Sequence, residues 1–204
     1  MTQICITSIT FSKMPNWWTD IDRTWTLFLD RDGVINKRIP DGYVTDTSEF
    51  EWLPGAAAAI TRLNSLFGLT VVVTNQQGIG KGLMSEEDLD RIHGHLAFSL
   101  QEAGGRIDAF YFCPQLASQS PNCRKPNPAM GHQARRDFPE IDFSRSVMVG
   151  DSPSDIEFGI QLGMRTIFVQ SSTLSMPPEL SNMPPDFMVS GLPELAGSLP
   201  EGHN

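Results

Sequence analysis

The chain has 204 residues, which suits one domain with a substantial core, since about 150 residues already bury roughly 68–70% of their unfolded surface. Its 24 acidic residues outnumber its 15 Lys and Arg residues, which gives a net charge of −9. Such a charge argues against an extended surface for nucleic acid or anionic membrane. We therefore expect no nucleic-acid partner, no membrane partner and a monomeric protein.

Three cysteines are present, Cys5, Cys113 and Cys123, and an odd, sparse set of this kind is not a disulfide framework. No apolar run approaches the ~18 residues of a membrane span. The stretch ICITSITF (4–11) is too short and too polar for a secretory signal. These features favour free thiols in a reducing cytosol, so we expect a cytoplasmic protein.

In chain order, residues 1–24 form a predicted arm around Trp17 and Trp18, and residues 25–204 form one predicted domain. β-branched apolar runs predict buried strands, and the stretches between them predict helices. The strands are expected at 26–29, 69–74, 107–112, 146–149 and 164–169, and the helices at about 55–67, 85–103, 128–137 and 153–162. Prolines and serines predict an irregular segment over 171–185, followed by a last strand and helix within 186–200.

The alternation of strands and helices predicts an α/β fold, a three-layer Rossmann-like domain with a central, mostly parallel sheet. Such sheets bind ligands beyond the carboxyl ends of their strands. Asp30, Thr74, Cys113 and Asp151 all lie at predicted strand ends. The site is therefore expected at this edge of the sheet.

The segment LFLDRDGVIN (27–36) places two carboxylates directly after a buried strand. In an extended backbone, residues two apart project to the same face, so Asp30 and Asp32 point to one spot while Arg31 points away. Gly33 allows a sharp turn or a close approach to the backbone. This spot is predicted to bind a divalent cation.

In VVVTNQQGIGKG (71–82), an apolar strand ends in Thr74 and Asn75 and runs into glycines. The Thr74 hydroxyl and exposed backbone amides at such a strand end can bind phosphate oxygens. An ordinary turn after a strand is the alternative for this segment. In NCRKPNPAM (122–130), Lys125 is a compact charge that suits a transferring phosphoryl group, and Arg124 suits a second anion. A solvated basic surface is the alternative there.

The segment SVMVGDSPSDIEFG (146–159) ends a buried strand at Gly150 and Asp151. Asp151 is predicted to complete a magnesium site, because Mg²⁺ prefers one or two carboxylates together with waters and a substrate phosphate. Asp155 has two interpretations. It either supports the metal ligands from behind or stabilises the first turn of a helix.

The order Asp-x-Asp, Thr, Lys and Gly-Asp-x-x-x-Asp resembles the haloacid dehalogenase (HAD)-type phosphohydrolase superfamily over about residues 25–170. The stretches DRDGVIN, DGYVTDTSEFEWLPGA, TNQQGIGKG and CRKPNPAM are most similar to the heptose 1,7-bisphosphate and histidinol-phosphate phosphatases. The resemblance implies a Mg²⁺-dependent phosphoric monoester hydrolase.

The same resemblance assigns Asp30 as the nucleophile that becomes a phosphoaspartate and Asp32 as the general acid and base. Thr74 and Lys125 would hold the phosphoryl group. Mg²⁺ would be bound by Asp30, the backbone carbonyl of Asp32 and Asp151. The further substrate-binding candidates are Arg31, Gly33, Asn75, Gln76, Lys81 and Arg124.

Larger members of the superfamily carry a cap domain, but the intervals 33–54 and 113–124 are too short for one. Without a cap, the loops 37–46, 79–84 and 113–125 are expected to select the substrate. Relatives often hold a structural zinc with one Cys-x-His and one Cys-x-Cys pair. Gln115 and Pro121 stand at two of those positions, so no zinc is expected, and Cys113 and Cys123 are predicted to be neighbouring free thiols.

The resemblance leads us to expect a small phosphosugar as substrate, with hydrolysis at the C7 phosphate of D-glycero-D-manno-heptose 1,7-bisphosphate. GYV (42–44) and Lys81 favour that branch. Histidinol phosphate is an alternative because the loop between Cys113 and Cys123 is short. A polynucleotide 3′-phosphatase is disfavoured by the acidic charge. A catalytically silent phosphosugar-binding module is disfavoured because every reacting position is present.

Overall fold

The structure, a computed structural model, describes residues 15–170 and 177–199. Six strands form one sheet in the order β3-β2-β1-β4-β5-β6, and all neighbouring strands are parallel. The strands are β1 (Thr26–Leu29), β2 (Leu69–Asn75), β3 (Ala109–Cys113), β4 (Ser146–Gly150), β5 (Arg165–Val169) and β6 (Phe187–Val189). The α/β prediction is confirmed, although β3 begins two residues later than the expected 107–112.

Helices cover both faces of the sheet. They are α1 (Ala56–Leu66), α2 (Gln77–Gly80), α3 (Glu86–Glu102), α4 (Ala129–Asp137), α5 (Pro153–Leu162) and α6 (Leu192–Ser198). Alternate strand residues project to opposite faces, so Leu27 and Leu29 pack with α1, α3 and α6, whereas Phe28 packs with α4 and α5. The result is the expected three-layer arrangement.

The order of strands reverses beside β1, which pairs with β2 on one side and with β4 on the other. In open α/β sheets this reversal opens a crevice at the carboxyl ends of the strands, and ligands bind there. The backbone N–H of Asp30 donates to Val149 O at 2.9 Å, which fixes the first residue after β1 beside the end of β4. The fold therefore brings Asp30 and Asp151 to the same crevice.

The two connections on which a cap domain would be inserted are both described in full. Residues 30–55 contain a single 3₁₀ turn, Thr47–Glu49, and residues 114–128 contain neither helix nor strand. Neither connection holds a domain, as predicted. Among the described residues, each helix is too short or too polar to cross a membrane.

The described part of the N-terminal arm packs on the main core. Trp17 and Trp18 are buried, and Trp18 Nε1 donates to Ser198 O at 3.0 Å. Trp17 stacks on Trp25 with ring centroids 6.2 Å apart. The rest of the predicted arm, 1–14, lies outside the described residues, as do 171–176 of the predicted irregular segment and 200–204. The division into arm and domain stays a prediction.

Candidate active site

A buried ion-pair network lies at the carboxyl end of β1. The ammonium group of Lys125 donates to Asp30 Oδ1 at 2.7 Å and to Val73 O at 2.6 Å, and it pairs with Asp155 Oδ1 at 2.6 Å. These contacts use all three donors of the lysine. Lys125 and Asp155 are nearly inaccessible to solvent, and Asp30 is 6% exposed. The lysine is thus held against the predicted nucleophile.

The charges in this network depend on one another. Burial raises the pKa of Asp30 to about 6, although the adjacent Lys125 opposes the shift. Burial also disfavours the charged amine of Lys125, but the Asp155 and Asp30 carboxylates outweigh that effect and raise the pKa of the lysine. Lys125 therefore remains protonated and offsets the negative charge of Asp30.

Three carboxylates, those of Asp30, Asp151 and Asp155, offer oxygens that all lie within 4.8 Å of one another. Two glycines permit this approach: a Cβ on Gly33 would stand 2.0 Å from Asp151 Oδ2, and one on Gly150 would stand 2.1 Å from Asp155 Cβ. Burial, together with the nearby Asp30 charge, raises the pKa of Asp151 to about 8. Oxygen donors of this kind fit a hard divalent cation such as Mg²⁺.

The Asp32 carboxylate lies outside this cluster, which corrects the prediction that Asp30 and Asp32 present their carboxylates to one cation. Because β1 ends at Leu29, the two-residue alternation of a strand no longer applies at Asp32. Its carboxylate accepts hydrogen bonds from Arg31, Asn36 and Gln76. Burial alone would raise the pKa of Asp32, but the Arg31 charge and these hydrogen bonds hold it below its usual value.

The end of β2 supplies a hydroxyl and two amides. Thr74 is buried, and its Oγ1 accepts a hydrogen bond from Gln76 Nε2 at 2.9 Å. The side-chain amide of Asn75 both donates to and accepts from the backbone of Lys125. Asn75 Nδ2 donates to Lys125 O at 3.2 Å, and Lys125 N donates to Asn75 Oδ1 at 2.9 Å. Asn75 therefore fixes the lysine segment to the sheet in addition to its predicted role toward substrate.

These groups open into a cavity of about 490 Å³. We call its buried part, formed by Asp30, Thr74, Lys125 and Asp155, the floor. We call its outer part, formed by the segment 37–46 with Lys81 and Arg124, the rim. The lining comprises Asp30, Asp32, Arg38, Ile39, Asp41, Gly42, Tyr43, Val44, Thr74, Asn75, Lys81, Arg124, Lys125, Ser152, Ser154 and Asp155. Each of the three predicted substrate loops contributes to it.

Three predicted substrate-binding residues do not line this cavity. Arg31 is fully buried, and its guanidinium pairs with the Asp32 carboxylate at 2.9 Å. Gln76 is likewise fully buried between Asp32 and Thr74. Gly33 has φ +96° and lies against Asp151. All three lie against the site's own groups in the structure, and their role in substrate binding stays a prediction.

The loop between β3 and Arg124 holds a disulfide between Cys113 and Cys123, which corrects the prediction of free thiols. The side-chain carbonyl of Gln115 accepts a hydrogen bond from Cys123 N at 2.8 Å and folds the loop back on itself. This return path brings the two sulfurs together. The two sulfurs are bonded to each other. That the protein binds no zinc stays a prediction.

Arg38 is one of several cavity residues that the sequence did not indicate as site residues, and it is the one that contacts a predicted metal ligand. Its Nη2 donates to Asp151 Oδ1 at 2.7 Å and to Asp32 O at 3.3 Å. The only available signal in the sequence was its position within the predicted substrate loop 37–46. An arginine directly after Lys37 in a polar loop carries no spacing pattern that would have distinguished it.

A carboxylate bound by a buried lysine, beside further carboxylates at the switch point of a parallel sheet, fits the requirements of a phosphohydrolase site, namely a nucleophile, a cation and oxygen ligands for a metal. A family model described as HAD-hydrolase-like matches residues 122–195. A Mycobacterium bovis D-glycero-alpha-D-manno-heptose-1,7-bisphosphate 7-phosphatase is 49% identical over 133 residues, which cover 65% of this chain and 70% of the relative. The Escherichia coli D-glycero-beta-D-manno-heptose-1,7-bisphosphate 7-phosphatase is 32% identical over 176 residues, covering 83% and 90%.

A solved structure of a D,D-heptose 1,7-bisphosphate phosphatase from Bordetella bronchiseptica, complexed with magnesium and phosphate, has a TM-score of 0.74 to this chain. Its sequence identity is 30%, with 86% of this chain and 97% of that chain covered. The chain belongs to the HAD-like hydrolases, in the group that contains the heptose-1,7-bisphosphate phosphatases. It is a phosphatase.

Proposed function

We propose that the protein hydrolyses the C7 phosphate of D-glycero-α-D-manno-heptose 1,7-bisphosphate through a phosphoaspartate at Asp30. The observation that carries this proposal is a second set of cations in the same cavity. Lys81 and Arg124 line its rim, and Arg124 Nη1 is buried without a hydrogen-bond partner among the described residues. A bisphosphate supplies one phosphate to the floor and one to the rim. The α anomer is chosen because the 49%-identical relative is named for it.

The cation in this proposal is Mg²⁺, bound by the carboxylates of Asp30 and Asp151 and by the backbone carbonyl of Asp32. The clustered carboxylate oxygens fit such an ion. When bound, Mg²⁺ neutralises charge on the transferring phosphoryl group. Asp155 already pairs with Lys125 and accepts from Ser152 N, so it supports the lysine and the first turn of α5.

The residues of the chain divide the reaction into two displacements. An oxygen of Asp30 attacks phosphorus, the bond from phosphorus to the sugar oxygen breaks, and the departing alkoxide takes a proton from Asp32. Water then attacks the phosphoaspartate and gives a proton to Asp32, which releases phosphate and restores Asp30. Lys125 and Thr74 hold the phosphoryl oxygens in both steps.

The hydrogen bonds around Asp32 determine the protonation state of its carboxylate in the substrate-free protein. Arg31, Asn36 and Gln76 hold the pKa of Asp32 below its usual value, so its carboxylate is ionised before substrate binds. That form is ready for the second step, in which it accepts a proton from water. The first step requires that Asp32 gains a proton as the anionic substrate enters the cavity.

A substrate panel tests this function. We expect kcat/KM to be highest for the α anomer of heptose 1,7-bisphosphate, lower for the β anomer, and lower still for histidinol phosphate and 3′-phosphorylated DNA. Preference for histidinol phosphate would replace the proposed substrate. Absence of activity on every compound, including 4-nitrophenyl phosphate with Mg²⁺, would favour the silent binding module. The cytoplasmic location and monomeric state stay predictions.

A further inference from the structure

Arg38 lies where its guanidinium meets two of the oxygens proposed to bind Mg²⁺. Its Nη2 donates to Asp151 Oδ1 at 2.7 Å and to the backbone carbonyl of Asp32 at 3.3 Å. The side chain is half exposed, while that of Asp151 is 17% exposed. Asp30 and Asp155 line the cavity, whereas Asp151, which Arg38 contacts, does not. Arg38 also lines the cavity, so its side chain contacts both the cavity and Asp151.

A guanidinium in this position and a bound divalent cation exclude each other. Mg²⁺ binds oxygen ligands at about 2.0–2.1 Å, so an ion that shares Asp151 Oδ1 and Asp32 O with Arg38 would stand within a few ångströms of its positive charge. Two like charges at such a distance repel each other strongly in a partly buried site. Binding of the ion must therefore move the guanidinium away from both oxygens.

Because Arg38 lines the cavity, a displaced guanidinium can turn toward the other cavity residues. Arg38 belongs to the rim segment 37–46, and the same cavity is lined by Lys81 and Arg124. An exposed arginine on a flexible stem can move between neighbouring anionic partners, whereas Arg31, fully buried on Asp32, cannot. Its planar fork binds phosphate oxygens in pairs, which suits the phosphate that is not hydrolysed.

We propose that Arg38 is a substrate-binding residue that is released by the metal ion: it pairs with Asp151 in the metal-free protein, and when Mg²⁺ displaces it, it binds the phosphate at C1 of the bisphosphate. The displacement of Arg38 by the metal ion rests on the site geometry alone. The contact of Arg38 with the C1 phosphate also rests on the proposed function. Metal is therefore expected to bind before the bisphosphate, because the arginine is free only after the metal has entered.

Titration calorimetry with MnCl₂ on the substrate-free protein tests the first half. Arg38→Gln removes the competing charge and should bind Mn²⁺ about 5-fold or more tightly than the parent. Lys37→Gln is the matched control, since Lys37 pairs with Glu51 on the exposed surface and does not line the cavity. Unchanged Mn²⁺ affinity in Arg38→Gln, or an equal gain in Lys37→Gln, would overturn the displacement.

Kinetics with two substrates test the second half. For Arg38→Gln, KM for heptose 1,7-bisphosphate should rise about 10-fold, while kcat/KM for 4-nitrophenyl phosphate should hold or increase. Equal losses on both substrates would overturn the phosphate-binding role. A parent protein that does not hydrolyse heptose 1,7-bisphosphate would refute the proposed function and with it the C1-phosphate contact. The Mn²⁺ titration would still test whether the metal ion displaces Arg38, because it does not depend on the substrate.

Discussion

The floor and the rim of the cavity are built in different ways. On the floor, Asp30, Lys125 and Asp155 are almost fully buried and satisfy one another through short contacts. On the rim, Lys81 lies 5.1 Å over the Tyr43 ring, and Arg38 is half exposed. Buried charges are expensive to rearrange, whereas exposed ones exchange partners at small cost. We infer that the floor performs the chemistry and the rim selects the substrate.

An Asp→Asn substitution on the floor is expected to change turnover far more than the same substitution on the rim. Asp30→Asn should reduce turnover by at least about a thousandfold, because an amide cannot attack phosphorus and is a poorer metal ligand. The matched control is Asp41→Asn on the rim, where the backbone has φ 54° and Asn is tolerated. Turnover is measured with Mg²⁺, and circular dichroism checks both folds. Asp30→Asn activity above a thousandth of the parent rate would contradict the nucleophile assignment.

The disulfide ties the loop that carries the rim residue Arg124 to the end of β3. Cys123→Ser should lower the free energy of unfolding by about 2–4 kcal/mol, which is typical for loss of a native disulfide. Chemical denaturation without reductant measures this loss, and the parent in reductant should show a similar one. Cys5→Ser is the control. If all three proteins unfold at the same denaturant concentration, the disulfide does not form in solution.

Arg124 should affect the substrate more than the chemistry. Arg124→Ala is expected to reduce kcat/KM for heptose 1,7-bisphosphate by about 1.5–3 kcal/mol more than for a monophosphate, the range of a charged hydrogen bond. The reason is that the floor already holds the reacting phosphate through Lys125. Steady-state kinetics on both substrates measure the difference. Equal losses would show that Arg124 only shapes its loop.

Asp151, which lies beside the floor, should affect the pH dependence of stability without metal. The folded protein holds the pKa of Asp151 at about 8, above its usual 3.8, so the folded state retains a proton that the unfolded state has lost. Stability therefore falls as pH rises toward 8. Between pH 6.5 and pH 8 in EDTA we expect a loss of about 1–2 kcal/mol in the free energy of unfolding.

This pH window also separates Asp151 from His93. Burial lowers the pKa of His93 to about 3, so the histidine destabilises the fold only below its unfolded value of 6.5. Asp151→Asn should remove the loss between pH 6.5 and pH 8 in urea unfolding experiments. If the slope persists in Asp151→Asn, another group is responsible for it.

Much of the fold and of the candidate site could be predicted from the sequence. Short β-branched runs alternate with amphipathic stretches, and parallel strands bring their carboxyl ends to one edge, so Asp30, Thr74 and Asp151 were placed near one another in advance. The buried contact between Lys125 and Asp30 agrees with the role that the resemblance assigned to Lys125. These predictions depend on regular structure, in which spacing along the chain determines direction in space.

The remainder depends on loop paths that spacing does not determine. β1 ends at Leu29 and the chain turns, so Arg31 and Asp32 bind each other instead of alternating between two faces. Cys113 and Cys123 are ten residues apart, and only the fold of the intervening loop joins them. Arg38 reaches Asp151 across 113 residues of sequence. Such contacts follow from tertiary structure alone.

Trapping the intermediate tests the central claim most directly. The Asp32→Asn variant should slow both steps, because its amide can neither protonate the departing alkoxide nor accept a proton from water, and the phosphoenzyme that it does form should therefore break down slowly. After rapid acid quenching with heptose 1,7-bisphosphate, peptide mass spectrometry should find one phosphoryl group on Asp30, and the released sugar should keep its phosphate at C1. Phosphorylation of a residue other than Asp30, or a released sugar that has lost its C1 phosphate, would contradict the account.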